Sequence, residues 1–197
     1  MKRLRLLVLV MAGLSLTAAG SSQNDDGRRL RADLTGYEEV PVVNTVASGK
    51  FRARISRDEQ SIEYRLSYSG LQGTVSQAHI HIAQLSVNGS IVIWLCQTAT
   101  NPGPATHTCN PGSDDFTGTI TAKDVIAGST ASQQLNANDL ASVIAAIRAG
   151  AAYANVHTLP NSTGGEIRGQ IEVVDRDDKH DRDNRHDDDR DNKGGHH

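Results

Sequence analysis

The chain has 197 residues, a formal net charge of −3 and only 4% aromatic residues. Such a length holds one domain with a core made mostly of Val, Ile, Leu and Ala. The modest charge, with no basic patch outside the two ends, excludes a nucleic-acid partner.

Lys2, Arg3 and Arg5 precede an apolar run from Leu6 to Leu16, followed by the small residues Ala18, Ala19 and Gly20. This reads as a signal peptide over residues 1–20. The run is too short to span a membrane comfortably, so no membrane span is expected in the mature protein. An uncleaved N-terminal anchor is the competing reading. Residues 21–29 form a polar lead-in to a domain expected over 30–174. From Leu30 onward the hydrophobic period is two. Leu30, Ala32 and Leu34 alternate with polar residues, as do Phe51, Ala53 and Ile55, then Ile62, Tyr64, Leu66 and Tyr68. Asp58-Glu59-Gln60 joins the last two runs as a hairpin. Further strands are expected over 76–84, 90–96, 118–122, 153–158 and 166–174, with Asn88-Gly89 as a tight hairpin turn. One helix interrupts them. Leu140, Val143, Ile144 and Ile147 make one apolar stripe, Asn136 or Asn138 caps it, and Gly150 ends it. The fold class predicted is mostly β: an antiparallel β-sandwich or Greek-key-like barrel with one short α-helix.

Cys96 and Cys109 are the only cysteines. In an exported chain they most simply form one disulfide across the Pro- and Gly-containing segment between them. A soft metal site with His107 is the alternative, but a structural site wants four ligands. Residues 175–197, rich in Asp, Arg and His, contain no apolar side chain. They cannot bury surface to offset their ordering entropy and are expected to be disordered. His180, His186, His196 and His197 of this tail could take up metal weakly; a solvated tail is the plainer reading.

The segment AHIHI, from Ala78 to Ile82, carries the sharpest chemical signal. Side chains alternate along a strand, so Ala78, Ile80 and Ile82 face the core while His79 and His81 share the outer, water-facing side. Imidazole serves copper and zinc well, and His157 in ANVHT points outward from another strand. If the two strands are neighbours, three imidazoles meet. Glu166 and Arg168 of GGEIRGQI lie on the same face, as a second-shell acceptor for an imidazole N–H and an anion-steering cation. The structural alternative has the three histidines neutral and hydrogen-bonded to Asn155, Glu166, Thr158 or backbone, stitching strands together. Glu166 and Arg168 would then form cross-strand ion pairs. No Ser in a G-x-S-x-G context, nor any other catalytic nucleophile, is present.

Three segments, GYEEVPVVNTVASG, YSGLQGTVSQAHIHIAQLSVNGSIVIWL and AGAAYANVHTLPNSTGGEIRGQI, resemble in wording and order the CHRD domain, the module named after the extracellular morphogen antagonist chordin. The family's early motif often reads EVPP; here it is EEVPVV. The resemblance implies an exported, mostly β module that binds an extracellular protein or envelope component, secreted or periplasmic, without a settled reaction. The H-x-H strand, distant third histidine and nearby arginine also look like copper–zinc superoxide dismutase. A convincing zinc-site aspartate is missing, and His107 is the sole candidate for a bridging histidine, so what the likeness implies is a lone copper or zinc site. Two readings stand: a non-enzymatic interaction module, and a copper- or zinc-binding metalloprotein using His79, His81 and His157.

Overall fold

The computed structural model describes residues 27–160 and 162–174. The expected signal peptide and the charged tail lie outside the described residues. Nine strands form: β1 (Arg29–Thr35), β2 (Ser48–Ile55), β3 (Ser61–Ser69), β4 (Thr74–Ile82), β5 (Ser90–Cys96), β6 (Asp114–Thr121), β7 (Ala152–Leu159), β8 (Ser162–Gln170) and β9 (Glu172–Val173). One helix, α1 (Leu140–Arg148), lies between β6 and β7. All strand pairings are antiparallel, in the order β5-β4-β7-β8-β1-β2-β3-β6, with β9 added beside β1.

The sheet coils on itself, so of the two predicted architectures the protein takes the barrel. The seam lies between β5 and β6. Tyr64 of β3 reaches across it, its hydroxyl donating to the Leu95 carbonyl at 3.3 Å. The Cys96–Cys109 disulfide, with Cα atoms 5.2 Å apart, ties the end of β5 to the segment leading into β6. β5 and β6 do not pair with each other, so the barrel is nearly closed, and these two contacts bridge its remaining gap.

The period-two residues fill the interior. Leu30, Leu34, Phe51, Ile55, Ile62, Leu66, Ala78, Ile80 and Leu95 are all buried in one cluster. Each large aliphatic side chain taken out of water contributes about 1.5–3 kcal/mol. The stripe Leu140, Val143, Ile144 and Ile147 of α1 joins the same cluster. The cap differs from the expectation. Asp139, not Asn136 or Asn138, accepts the Ser142 N–H at 3.0 Å. Asn138 instead adopts φ 65°, and its N–H donates to Val125. Gly150 ends the helix as read, at φ 67°. Among the described residues no helix is long and apolar enough to cross a membrane.

The Asn88-Gly89 turn also differs. The β4–β5 connection runs over residues 83–89, too long for a two-residue hairpin. Gly89 is needed for close approach, since a Cβ there would sit 1.9 Å from the Ile82 carbonyl oxygen.

Candidate metal centre

β4 alternates as the sequence dictates. Ala78 and Ile80 enter the core, and His79 and His81 take the opposite face. β7 is the neighbour of β4, with His79 opposite Asn155, His81 opposite Tyr153 and Gln77 opposite His157. Ser76 is an extra residue in β4 between Val75 and Gln77, a bulge that sets this register. His157 is therefore diagonal to His79, within reach of a ring. The ring centroids of His79 lie 5.5 Å from His81 and 5.1 Å from His157. One nitrogen from each of the three residues falls within 4.8 Å of the others.

The water-facing expectation is corrected. Relative exposure is 0% for His79, 6% for His81 and 5% for His157. Loops roof this face of the sheet. Residues 36–47, the GYEEVPVVNTVA segment, fold back on themselves through Val43 N–H to Gly36 O at 2.8 Å. That loop joins the β4–β5 connection where the Asn88 amide donates to the Val40 carbonyl at 2.9 Å. On the third side the Gly103 backbone lies against the Trp94 ring, and Trp94 is opposite His79 on β5. The face is outer in the pleat but interior to the molecule.

Burial decides the chemistry of the rings. It holds the His79 imidazole down to about 2 and His81 down to about 4, with the neighbouring imidazoles adding to the effect. Both are neutral at physiological pH, the form that ligates metal. His81 Nδ1 lies 2.9 Å from the Gly89 carbonyl. A carbonyl only accepts, so Nδ1 carries the proton and Nε2 the lone pair. That Nε2 is buried with no protein partner, and so are both nitrogens of His79. His157 Nε2 donates to Asn155 Oδ1 at 3.1 Å, and the Asn155 amide nitrogen donates to Gly164 O, which fixes the amide orientation. Stitching thus accounts for His157 and one side of His81, but for nothing on His79.

Four further side chains complete the surroundings. The Tyr153 ring stacks on His81 at 4.7 Å and 6°. The Arg168 guanidinium covers the other face of Tyr153 at 3.4 Å. Trp94 meets His79 edge-on at 4.3 Å. Glu39, from the roof loop, has a buried, unpartnered Oε1 that occupies the place a side chain at Gly165 would need. Burial pushes its carboxyl up to about 8, against the pull of Arg168.

Glu166 and Arg168, expected to support the imidazoles, sit on this face with other partners. Glu166 accepts from the Thr45 and Thr158 hydroxyls and the Gln72 and Gly73 N–H groups, which hold its carboxyl low despite burial. None of the imidazoles is among its partners. Arg168 donates to Asn88 Oδ1 and to the Val87 carbonyl, so it pins the β4–β5 connection and forms no ion pair with Glu166. His107 lies apart, 2.8 Å from Asp114 and stacked on Phe116. Sequence reasoning missed Glu39, Trp94 and Tyr153. Trp94 was within reach, because pairing β4 with β5 puts it beside the H-x-H segment.

The roof loop, the H-x-H strand and the NVHT and GGEIRGQI strands converge in space from distant parts of the chain. The CHRD domain family matches residues 30–171. The chain belongs to this family. Its CHRD domain thus spans nearly all of the described residues, and the three segments that carry the family likeness are the ones that build and cover the histidine cluster. No curated protein and no solved structure matches the chain.

Proposed function

We propose that this CHRD domain is the metal-binding module of an exported protein, with copper or zinc held by His79, His81 and His157. One observation carries the reading: three buried imidazoles converge, and three ring nitrogens, both of His79 and Nε2 of His81, have no protein partner among the described residues. A buried polar nitrogen without a partner costs about 1–3 kcal/mol, a burden that ligation removes. The spacing also suits an ion. Metal–nitrogen bonds near 2.0 Å place tetrahedral ligands about 3.4 Å apart, which rings now within 4.8 Å reach by sub-ångström shifts. The proposal is of binding, with no reaction attached. Export is supported by the Cys96–Cys109 disulfide, since such bonds persist in oxidising compartments. The signal-like residues 1–20 agree with it, and the tail over 175–197 is read as a solvated appendage.

Trp94 is the chain's only tryptophan, and its 4.3 Å contact with His79 makes it a reporter. Untagged protein loaded with copper is expected to hold one ion per chain and to lose most of its tryptophan fluorescence. The His79→Gln, His81→Gln variant is expected to do neither at the cluster. A fully folded wild-type chain with no stoichiometric copper or zinc and unquenched fluorescence refutes the proposal.

A second reading, docking to an extracellular protein or envelope component, rests on the roof. Tyr37, Val42, Val46 and Leu85 are large, apolar and exposed there, Val46 to 83%. Val46→Asp with Leu85→Asp should weaken association with the cell-envelope fraction while leaving metal content unchanged. Unchanged association removes this reading.

A further inference from the structure

Along the chain the basic residues between Arg28 and Arg65 form no run, yet antiparallel register collects them. Arg31 of β1 lies opposite Arg52 of β2, and Arg52 lies opposite Arg65 of β3. In the next outward row Arg29 lies opposite Arg54. Alternation sends all five to the outer face, because their neighbours Leu30, Phe51, Ile55 and Leu66 fill the core. Like charges directly opposite one another destabilise a sheet. A fold needs only polar side chains at such solvent-facing positions, so folding alone does not account for a row of arginines.

This face carries a groove. It lies on β2, β3 and β6, across the barrel from the roofed histidine face of β4 and β7. Its floor is the backbone at Ala53, Tyr64 and Gly118, and its volume is about 480 Å³. Arg52, Arg65 and Thr117 rise on one side, and Arg54, Glu63 and Thr119 on the other. A second hollow of about 230 Å³ continues it past Arg54 to Arg28 and Arg57 at the β2–β3 turn. Among the described residues that line the two, five are arginines and one, Glu63, is a carboxylate. The other carboxylates of this face stand at its margins. Asp33 holds Arg52 at 2.6 Å, Asp115 holds Arg65 at 2.5 Å, and Glu172 of β9 holds Arg31 at 3.2 Å. Asp33 and Asp115 steady two of the guanidiniums, and even with both set against them the five arginines outnumber the carboxylates.

Arginine presents paired N–H donors that match carboxylate and sulfate oxygens, and a threonine hydroxyl bonds readily to a neutral one. Tyr64 is turned inward, packed on Phe51 and Phe116 and donating to Leu95, so the groove offers no ring on which a nucleic-acid base could stack. A trough between two rows of side chains takes a chain rather than a plane, which sets a lipid surface aside. We propose that this groove binds a linear acidic polysaccharide, with carboxylate or sulfate groups on Arg52, Arg54, Arg57 and Arg65 and sugar hydroxyls on Thr117 and Thr119. The proposal does not depend on the metal site.

The test is calorimetric titration of the untagged full chain with dextran sulfate and with polygalacturonate, beside neutral dextran and duplex DNA. At about 0.15 M salt at least one acidic polysaccharide should bind, and the one that binds more tightly identifies the acid. Neutral dextran should not bind, and DNA should bind more weakly. Arg54→Gln with Arg57→Gln and Arg65→Gln should lower the affinity by about tenfold or more, as loss of three cations facing anions requires. Glu63→Gln should raise it by about twofold or more. Arg176→Gln with Arg182→Gln and Arg185→Gln changes the net charge equally in the tail, away from the groove, and should cost less than about threefold. Absence of binding to both acidic polysaccharides, neutral dextran or DNA bound as tightly, or equal losses in the groove and tail variants each overturn the proposal. Should the groove variant fail to fold, as judged by urea unfolding, Glu63→Gln decides alone, and an unchanged affinity overturns it.

Discussion

His79→Leu should make the metal-free protein more stable. The imidazole is fully buried and neither ring nitrogen has a protein partner. One nitrogen is a donor and the other an acceptor, and each unmade bond costs about 1–3 kcal/mol. Leucine has a similar volume and no polar atom, so both penalties vanish. Imperfect repacking against Trp94 and the other rings takes back about 1–3 kcal/mol. The net expectation at pH 7 is a gain of about 1 kcal/mol or more. Acid should widen it. The folded-state ring is held at about 2 against 6.5 in an open chain, so below pH 6.5 the unfolded chain binds the proton first. Wild type then loses about 1.4 kcal/mol per pH unit through this residue, and the leucine variant does not. At pH 4.5 the gap should be about 2.7 kcal/mol larger than at pH 7. Urea unfolding of metal-free chains with the disulfide oxidised, at both pH values, measures it. A variant less stable than wild type by more than about 1 kcal/mol at both pH values refutes the reasoning. Such a result would make His79 a packing element of the sheet.

Metal-free wild type should be most stable near pH 6.5. Below that pH, His79 and His81 draw protons into the unfolded chain; above it, Glu39, raised from 4.5 to about 8, favours the unfolded chain as it ionises there. Glu39→Gln should flatten the alkaline side, removing a fall of up to about 1.4 kcal/mol per pH unit between 6.5 and 8, and an unchanged slope would exclude Glu39 as its source. Gly165→Ala should destabilise by about 1–3 kcal/mol through backbone strain alone. Residue 165 sits at φ 125°, and the new Cβ would lie 2.2 Å from Glu39 Oε1. Pairing it with Glu39→Ala should recover part of the loss, whereas strictly additive losses would show that the two positions do not touch. Replacing Cys96 and Cys109 by Ser should lower stability by about 3 kcal/mol in chemical denaturation, and a loss below about 1 kcal/mol would mean that the seam is held by Tyr64 and the core instead.

The barrel was legible because its strands bury one face, and a period-two pattern reports that directly in runs such as Leu30, Ala32 and Leu34. The same pattern put His79 and His81 on one side and Ile80 on the other, as observed. What alternation does not encode is whatever lies above the second face. Water was assigned there because polar side chains alternated with apolar ones. The roof comes from loops whose residues, Glu39 through Val46, carry no periodic signal and are placed by long-range contacts such as Asn88 to Val40. The helix cap shows a local version of this limit. Asn136, Asn138 and Asp139 are all competent caps by composition, and the backbone path, with Asn138 at φ 65°, decides among them. The spacing of Glu166 and Arg168 on one strand face predicts cross-strand ion pairs, but each takes neutral partners instead, most of them from the roof and adjoining turns.

The roof has a kinetic consequence. A cluster covered by the 36–47 loop, the β4–β5 connection and Trp94 should exchange a bound ion mainly when one of these covers swings aside. Arg168 fastens one of them, through Asn88 and the Val87 carbonyl, from beneath. Loading and release should therefore run at the pace of loop opening, independent of how fast the ion trades ligands in water. A weakly held occupant would then stay far longer than its equilibrium constant alone suggests.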